Sequence, residues 1–461
     1  MRLNLRPAIA LVALLSLAAC ATTGADTEAE ADGPAPFAST YTPRPSQPTL
    51  IRNATVFDGN GAELANADVL MRDGRIVSVG QNLSAEGATV IDATGRFVTP
   101  GIIDAHSHLG AYPSPSINAT SDGNELTQPN TAEVWVEHSV WPQDPGFLRA
   151  VAGGITTLHV LPGSGNLFGG RGTTLRPVLG ATTVQEMKFP DAPQSLKMAC
   201  GENPARVYGG RNSSPATGMG NVAGYRQAWA NAARYARRLR NAEEGNGEPP
   251  DRDLELDTLA GVINGDIILQ WHCYRADEMA NAIQVAHEFD FEIAAFHHAV
   301  ESYKIADMLR EEGICSAMWA DWWGFKIEAY DGIRENIAFV DAAGACAIVH
   351  SDSEVGIQRL NQEAAKAMAD GRRAGLDITR AQAWTWVSRN PARALHIADE
   401  TGTLETGRRA DVVIWSADPL SSYAVAERVF IDGAEIYTRG AERDPPSDFE
   451  LGQTYTRGRA Q

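Results

Sequence analysis

GIIDAHSHLG (residues 101–110) opens with two branched apolar residues and then sets Asp104, His106 and His108 at every second position. Side chains of an extended strand alternate between faces, so these three polar groups share one. Two imidazoles at i and i+2 on one face form a pincer for a divalent cation. A single His-x-His means little by itself. Its weight depends on whether other strands of the chain end in the same way.

Several do. TTLHVLP (156–162), TTLRPV (173–178), LKMAC (196–200), IILQWHC (267–273), FEIAAFHH (291–298), ICSAMW (314–319) and CAIVHSD (346–352) have the apolar character of further strands. Helical stretches lie between the later ones. ADEMANAIQVAHEF (276–289) repeats Met279, Ile283 and Ala286 at helical spacing, and ESYKIADMLREEG (301–313) is a second helix stopped by Gly313. From residue 267 onward, strand starts fall 23–32 residues apart, the span of a βα unit. Eight such strands predict an α/β fold, a closed parallel (β/α)8 barrel whose active rim is formed by the strand C-termini. The third strand carries the weakest pattern. On that rim stand His106 and His108 from the first strand, and His272 from the fifth, opposite Leu269, Trp271 and Cys273. The sixth brings His297 or His298, between which alternation does not choose, and the eighth brings His350 and Asp352.

The chain ends have a different texture. TLIRNATVFDG, ADVLMRDGRIVSVG and ATVIDATGRFVTPG are short strands, with Asp73-Gly74 as a hairpin turn. The pattern returns in ADVVIW (410–415) and RVFIDGAEIYTRG (428–440), again around an Asp-Gly pair. Residues 48–98 and 399–445 are therefore expected to build one small β-sandwich around the 99–398 barrel, with 446–461 as a tail.

A net charge of −19 argues against nucleic acid, whose binding needs clustered Lys and Arg. Arg2 and Arg6 precede an apolar stretch, AIALVALLSLAA (8–19), too short to span a bilayer. With LAAC it resembles a lipoprotein signal ending at Cys20, the lipidated residue, followed by a flexible tether over 21–47. The expected location is the bacterial envelope, periplasmic or outer-membrane-anchored, with membrane contact through the lipid alone. Cys200, Cys273, Cys315 and Cys346 sit inside apolar strand-like runs, and buried free thiols are expected.

The ordered set VTPGIIDAHSHLG, HCYRADEM, HHAVESYKIADML, AIVHSDSEVGIQ, NPARALHI and GTLETGRRADVVIW resembles the amidohydrolase superfamily, specifically its imidazolonepropionase-like branch. That resemblance covers nearly all of 48–440. It implies one or two divalent metals, commonly Zn2+, and hydrolysis of C–N bonds in amides, cyclic amides or dipeptides by a metal-activated hydroxide. By position it makes His106, His108, His272, His298 and Asp352 metal ligands, and favours His298 over His297. Asp352 is then the general base and acid, and His298 stands beside the reacting carbonyl. His350 either orients Asp352 or makes a structural hydrogen bond.

Lys197 shares a face with Ala199, while Leu196, Met198 and Cys200 take the other, which turns the lysine into the barrel. A buried neutral amine can take up carbon dioxide, and several related subgroups carry a carboxylated lysine bridging two metals on the fourth strand. The alternative is an ammonium paired with Glu202, itself a rival ligand. Arg206 and Tyr208, with Arg211, are candidate contacts for a substrate carboxylate. Trp319, Trp322, Trp323 and Phe325 either wall an apolar pocket or pack beneath a loop. PGSGNLFGGRG (162–172) lacks the Lys-Ser/Thr of a phosphate loop. His138, His159, His287 and His396 are expected to be structural. The expected partner is a small-molecule amide or peptide, and a homo-oligomer is compatible with the pattern. The competing interpretation is a non-catalytic, small-molecule-binding lipoprotein on a degenerate hydrolase barrel.

Overall fold

Asp73 and Gly74 both adopt positive φ (51° and 76°), which sets the two-residue hairpin that pairs Arg72 with Arg75. Asp432 and Gly433 do the same between Ile431 and Ala434. The computed structural model describes residues 37–441 except 85, 115 and 116. The leader with Cys20, residues 21–36 of the expected tether and the 446–461 tail lie outside the described residues. The compact unit described below begins at Ser39. Residues 39–44, placed in the tether from composition, are fastened to the body. The Thr40 amide bonds to Gln185, Ser39 Oγ donates to the Lys188 carbonyl, and the Tyr41 hydroxyl reaches Asp432 at 2.5 Å.

Both chain ends contribute to one eight-stranded sheet. Its N-terminal strands are β1 (Thr49–Phe57), β2 (Glu63–Arg72), β3 (Arg75–Gly80), β4 (Thr89–Asp92) and β5 (Phe97–Pro100). The chain then builds a second sheet from β6 (Ile102–Ser107), β7 (Ile155–Val160), β8 (Phe168–Leu175) and β9 (Ser195–Ala199), followed by β10 (Ile268–Cys273), β11 (Ala295–His298), β12 (Cys315–Met318) and β13 (Cys346–Val349). It returns to the first with β14 (Val412–Trp415), β15 (Ala426–Ile431) and β16 (Ala434–Thr438), where β14 pairs antiparallel with β5.

The second sheet runs in the order β6 to β13 and nearly closes. The remaining seam is bridged by Asp352 N to the His106 carbonyl (3.0 Å) and by the segment at 386–387, which bonds Val349 on one side and Ile103 on the other. Gly101 feeds β6 beneath the buried Thr156, whose side chain would lie 2.1 Å from a Cβ there, so only glycine fits. The expected helices form at Ala276–Phe289, with Met279, Ile283 and Ala286 buried, and at Ala306–Glu311.

Two expectations are corrected. The third strand is β8, antiparallel to both neighbours rather than parallel, and it begins at Phe168 rather than Thr173. Only residues 161–167 separate it from β7, too few for the crossover a parallel pair needs. The cysteines are not free thiols. Cys200 bonds Cys273 and Cys315 bonds Cys346, with Cα separations of 5.3 and 4.4 Å. Each bond joins neighbouring strand positions, and a cross-strand disulfide is as buried and apolar in its surroundings as a lone thiol.

Candidate metal centre

Alternation along each barrel strand sorts apolar from polar. Leu196, Met198, Cys200, Leu269, Trp271, Cys273 and Phe296 join the core cluster packed against the helices. Deep between the strands, the small residues Ala105, Ala295 and Ala317 pack with Cys315 and Cys346. Their neighbours toward the strand C-termini are histidines. His106, His272, His297, His298 and His350 are all buried, and Asp352 keeps about a fifth of its side chain accessible.

His106, His108 and Asp352 form one group able to hold a cation, and His106, His298 and His350 form another. Asp352 Oδ1 lies 3.0 Å from His108 Nε2 and 3.5 Å from His106 Nε2, and Oδ2 lies 3.9 Å from His298 Nδ1. The backbone strains to achieve this. His298, Ala299 and Asp352 all adopt the left-handed conformation (φ 69°, 41° and 50°), which L residues occupy mainly where surrounding structure enforces it.

The hydrogen bonds say what such a site needs. His108 Nδ1 lies 2.8 Å from the Leu161 carbonyl, which can only accept, so the proton is on Nδ1 and Nε2 presents a lone pair to Asp352. Two acceptors 3.0 Å apart require a positive charge between them. In addition, both ring nitrogens of His272 and of His350, and Nδ1 of His298, are buried and make no hydrogen bond. Buried ring nitrogens without a hydrogen bond are rare in folded proteins and point to a ligand-binding role. A divalent cation fits this donor set. His350 therefore makes neither the orienting nor the structural hydrogen bond expected of it; its ring stacks on His106 with centroids 5.0 Å apart.

Burial holds the histidines neutral. It drives the pKa of His350 down to about 3 and those of His106, His272 and His298 well below the usual imidazole range. Burial also works to raise Asp352, but its imidazole neighbours and the Lys197 ammonium outweigh it and hold the carboxylate below its ordinary range.

Lys197 is fully buried on β9, and its Nζ donates to the Pro162 carbonyl at 3.1 Å. Burial lowers its pKa to about 8, with Asp352 pulling the other way. Glu202 is not its partner, since that carboxylate faces Lys326 at 3.5 Å. Arg206 is exposed on the helix Glu202–Gly209, and Tyr208 is buried with its hydroxyl bound to the Gln128 carbonyl. The tyrosine thus serves the loop rather than an open pocket. His159 is structural, held between Thr174 and Ser195, and His287 is a surface residue paired with Glu312.

Two aromatic rings pack on His298, of which Trp319 was an expected wall or packing residue and Tyr274 escaped notice in the sequence. Trp319 stacks on the His298 ring (4.3 Å, 25°) and Tyr274 lies on it nearly parallel (5.3 Å, 18°). Lys326 Nζ sits 3.9 Å from the Tyr274 ring centroid. Tyr274 follows His272 by two residues, and that spacing was the available signal.

Comparison with known proteins agrees with this geometry. The crystal structure of an amidohydrolase from Thermotoga maritima is 34% identical, with a TM-score of 0.78, covering 85% of this chain and 100% of that one. The chain belongs to the amidohydrolase family. The sequence profile of the Amidohydrolase family matches residues 328–436, a stretch of this amidohydrolase that includes β13 and Asp352. Amidohydrolase tasK from Hapsidospora irregularis is 33% identical over 428 residues, which is 84% of this amidohydrolase and 43% of tasK. A 5-methylthioadenosine/S-adenosylhomocysteine deaminase from Thermococcus kodakarensis is 37% identical over 95 residues, 21% of this chain and 20% of that protein. The amidohydrolase thus spans less than half the length of these curated relatives.

Proposed function

We propose that this amidohydrolase hydrolyses C–N bonds in small amides, cyclic amides or dipeptides, in keeping with an imidazolonepropionase-like branch. The observation that carries the reading is the pair of groups His106, His108, Asp352 and His106, His298, His350, with buried ring nitrogens of His272, His298 and His350 left without hydrogen bonds. His106, His108, His272, His298 and Asp352 would hold one or two divalent ions, zinc being the expected metal. When bound, such an ion supplies Lewis acidity toward a carbonyl oxygen and lowers the pKa of water.

The protein's own groups do the rest. Asp352 is ionised and partly accessible, so it can take a proton from the attacking water and pass it to the departing nitrogen. His298 is packed by the rings of Trp319 and Tyr274, which lie 6.0 Å from each other, and its Nδ1 is turned toward Asp352. Lys197, with its depressed pKa, presents a neutral amine at a pH somewhat above neutrality. Its nitrogen can bond to the carbon of CO2 with release of one proton, leaving a carbamate anion as a further ligand.

The substrate's non-reacting end is read as aromatic or apolar. His298, Trp319, Trp322 and Trp323 line a small cavity, where Trp322 stacks on Trp319 at 5.0 Å and the Trp319 Nε1 has no partner. The sheet built from the chain ends is read as the β-sandwich of this architecture. Cys20 is read as a lipid anchor to the envelope, to be tested by fatty-acid labelling of the parent and Cys20→Ser. The retired-barrel alternative is disfavoured, because such sites lose ligands and this one keeps them on β6, β10, β11 and after β13. Metal analysis combined with turnover of an amide and dipeptide library, with and without chelator, tests the function. Bound metal and chelator-sensitive hydrolysis are expected; metal-free protein with no turnover on any member would overturn it.

A further inference from the structure

His108 has a backbone carbonyl to fix its tautomer, but His106 does not. Its Nδ1 lies 2.9 Å from Nδ1 of His297, a nitrogen that can either donate or accept. Which of the two carries the proton decides whether His106 can present a lone pair at Nε2. The answer lies farther from the site. His297 Nε2 is 2.6 Å from Oε1 of Gln270, and Gln270 Nε2 donates to the Ala394 carbonyl at 3.0 Å.

The direction of each bond follows from the last one. Ala394 ends the helix Arg389–Ala394, where terminal carbonyls lack a helical partner and accept from elsewhere. That carbonyl orients the Gln270 amide with its oxygen toward His297. An amide oxygen only accepts, so His297 carries its proton on Nε2. A second proton on His297 would put a cation in a fully buried position whose ring nitrogens meet only Gln270 and His106. His297 Nδ1 is therefore an acceptor, His106 Nδ1 is the donor, and His106 Nε2 is bare. That nitrogen faces His108 Nε2 at 3.3 Å and Asp352 Oδ1 at 3.5 Å.

We propose that Gln270 and His297 are positioning residues that set the tautomer of His106, with the Ala394 carbonyl of the NPARALHI segment as the origin of the relay. Gln270 acts through His297, and neither side chain need touch the metal or the substrate. The two adjacent histidines of β11 then divide the labour. His297 relays the proton assignment, and His298 offers a nitrogen to the site. Loss of the Gln270 acceptor frees His297 to carry its proton on Nδ1, which drives the His106 proton to Nε2 and blocks the lone pair.

The proposal rests on His106 being a metal ligand, and its test separates the two. Long-range 1H–15N spectra of the metal-free protein read the ten histidine tautomers directly. His106 and His108 are expected as Nδ1–H and His297 as Nε2–H, whether or not a metal ever binds. An Nε2–H His106 overturns the relay. Zn2+ affinity, measured by competition with a chromophoric chelator, is expected to fall about 10–100-fold in Gln270→Leu. Gln270→Glu keeps an oxygen against His297 Nε2 and is expected to retain most of the affinity. Equal loss in both variants, or none in Gln270→Leu, would mean that Gln270 only fills space. If Gln270→Leu does not fold, the tautomers of the parent protein still decide. Correct tautomers with no Zn2+ binding by the parent would instead refute the metal reading.

Discussion

Lys197 shows how one side chain's surroundings become a chemical question. It is fully buried, bonded to a carbonyl rather than to a carboxylate, and depressed to about pKa 8. A lysine in that setting is costly unless it has work to do. Lys197→Ala is expected to fold and to lose one metal equivalent where the parent binds two, read by elemental analysis. Unchanged stoichiometry would leave the lysine as filler. Asp352→Asn keeps the shape of the side chain but removes its proton-accepting charge. A fall in kcat of about 10²–10⁴-fold is expected with substrate KM little changed. A variant that keeps its kcat would assign the base elsewhere. The inward turn of Lys197 was legible in the sequence because three apolar neighbours claimed the opposite face. Gln270 was equally legible by alternation, two residues before His272, yet a glutamine announces no chemistry until its partners are known.

Among elements, the segment after β12 is the one whose purpose sequence left open between wall and packing. Trp319 is buried against His298, whereas Trp322, Trp323 and Phe325 are 43%, 58% and 55% exposed. Packing under a loop would have hidden all four. Trp322→Ala and Trp323→Ala are expected to lower kcat/KM for amides with aromatic substituents about 10-fold, with methyl-substituted analogues nearly unaffected. An equal loss across the series would point to a displaced loop instead. β8 was misread for a physical reason. Gly169, Gly170 and Gly172 take three of its first five positions, and glycines carry no alternation from which a strand can be recognised. The disulfide partners were hidden because pairing depends on strand neighbours far apart in sequence, whereas burial is written locally.

For the molecule as a whole, the junction between the two sheets is charged. Arg176, fully buried after β8, meets Asp411 at 2.7 Å and Asp432 at 3.0 Å, and Asp432 also receives Tyr41 and Arg409. Removing one partner of such a network leaves an unpaired buried charge. Arg176→Met is expected to destabilise the protein by about 3–5 kcal/mol in chemical denaturation. Burial works to raise the pKa of Asp432, but Arg176, the Tyr41 hydrogen bond and Arg409 lower it below the ordinary carboxylate range. A depressed folded-state pKa gives stability that is complete above the unfolded value and lost as pH falls toward the folded one. The melting temperature should therefore drop on acidification below about pH 4, and less steeply in Asp432→Asn. Identical acid profiles would place the sensitivity elsewhere.

The ladder that joins β5 to β14 has a consequence for how the chain reaches its native state. Its register sets Pro100 against Val412 and Phe97 against Trp415, closing a loop of roughly three hundred residues. Chain entropy alone charges such a closure on the order of 5 kcal/mol, so the ladder is expected to form only after the barrel between its strands has shortened the span. A ribosome would release β14–β16 after the whole barrel, and until then the edge of β5 that takes β14 would have no partner. The barrel would thus fold first, and the sheet that joins β1–β5 to β14–β16 would close only once β14 is at hand.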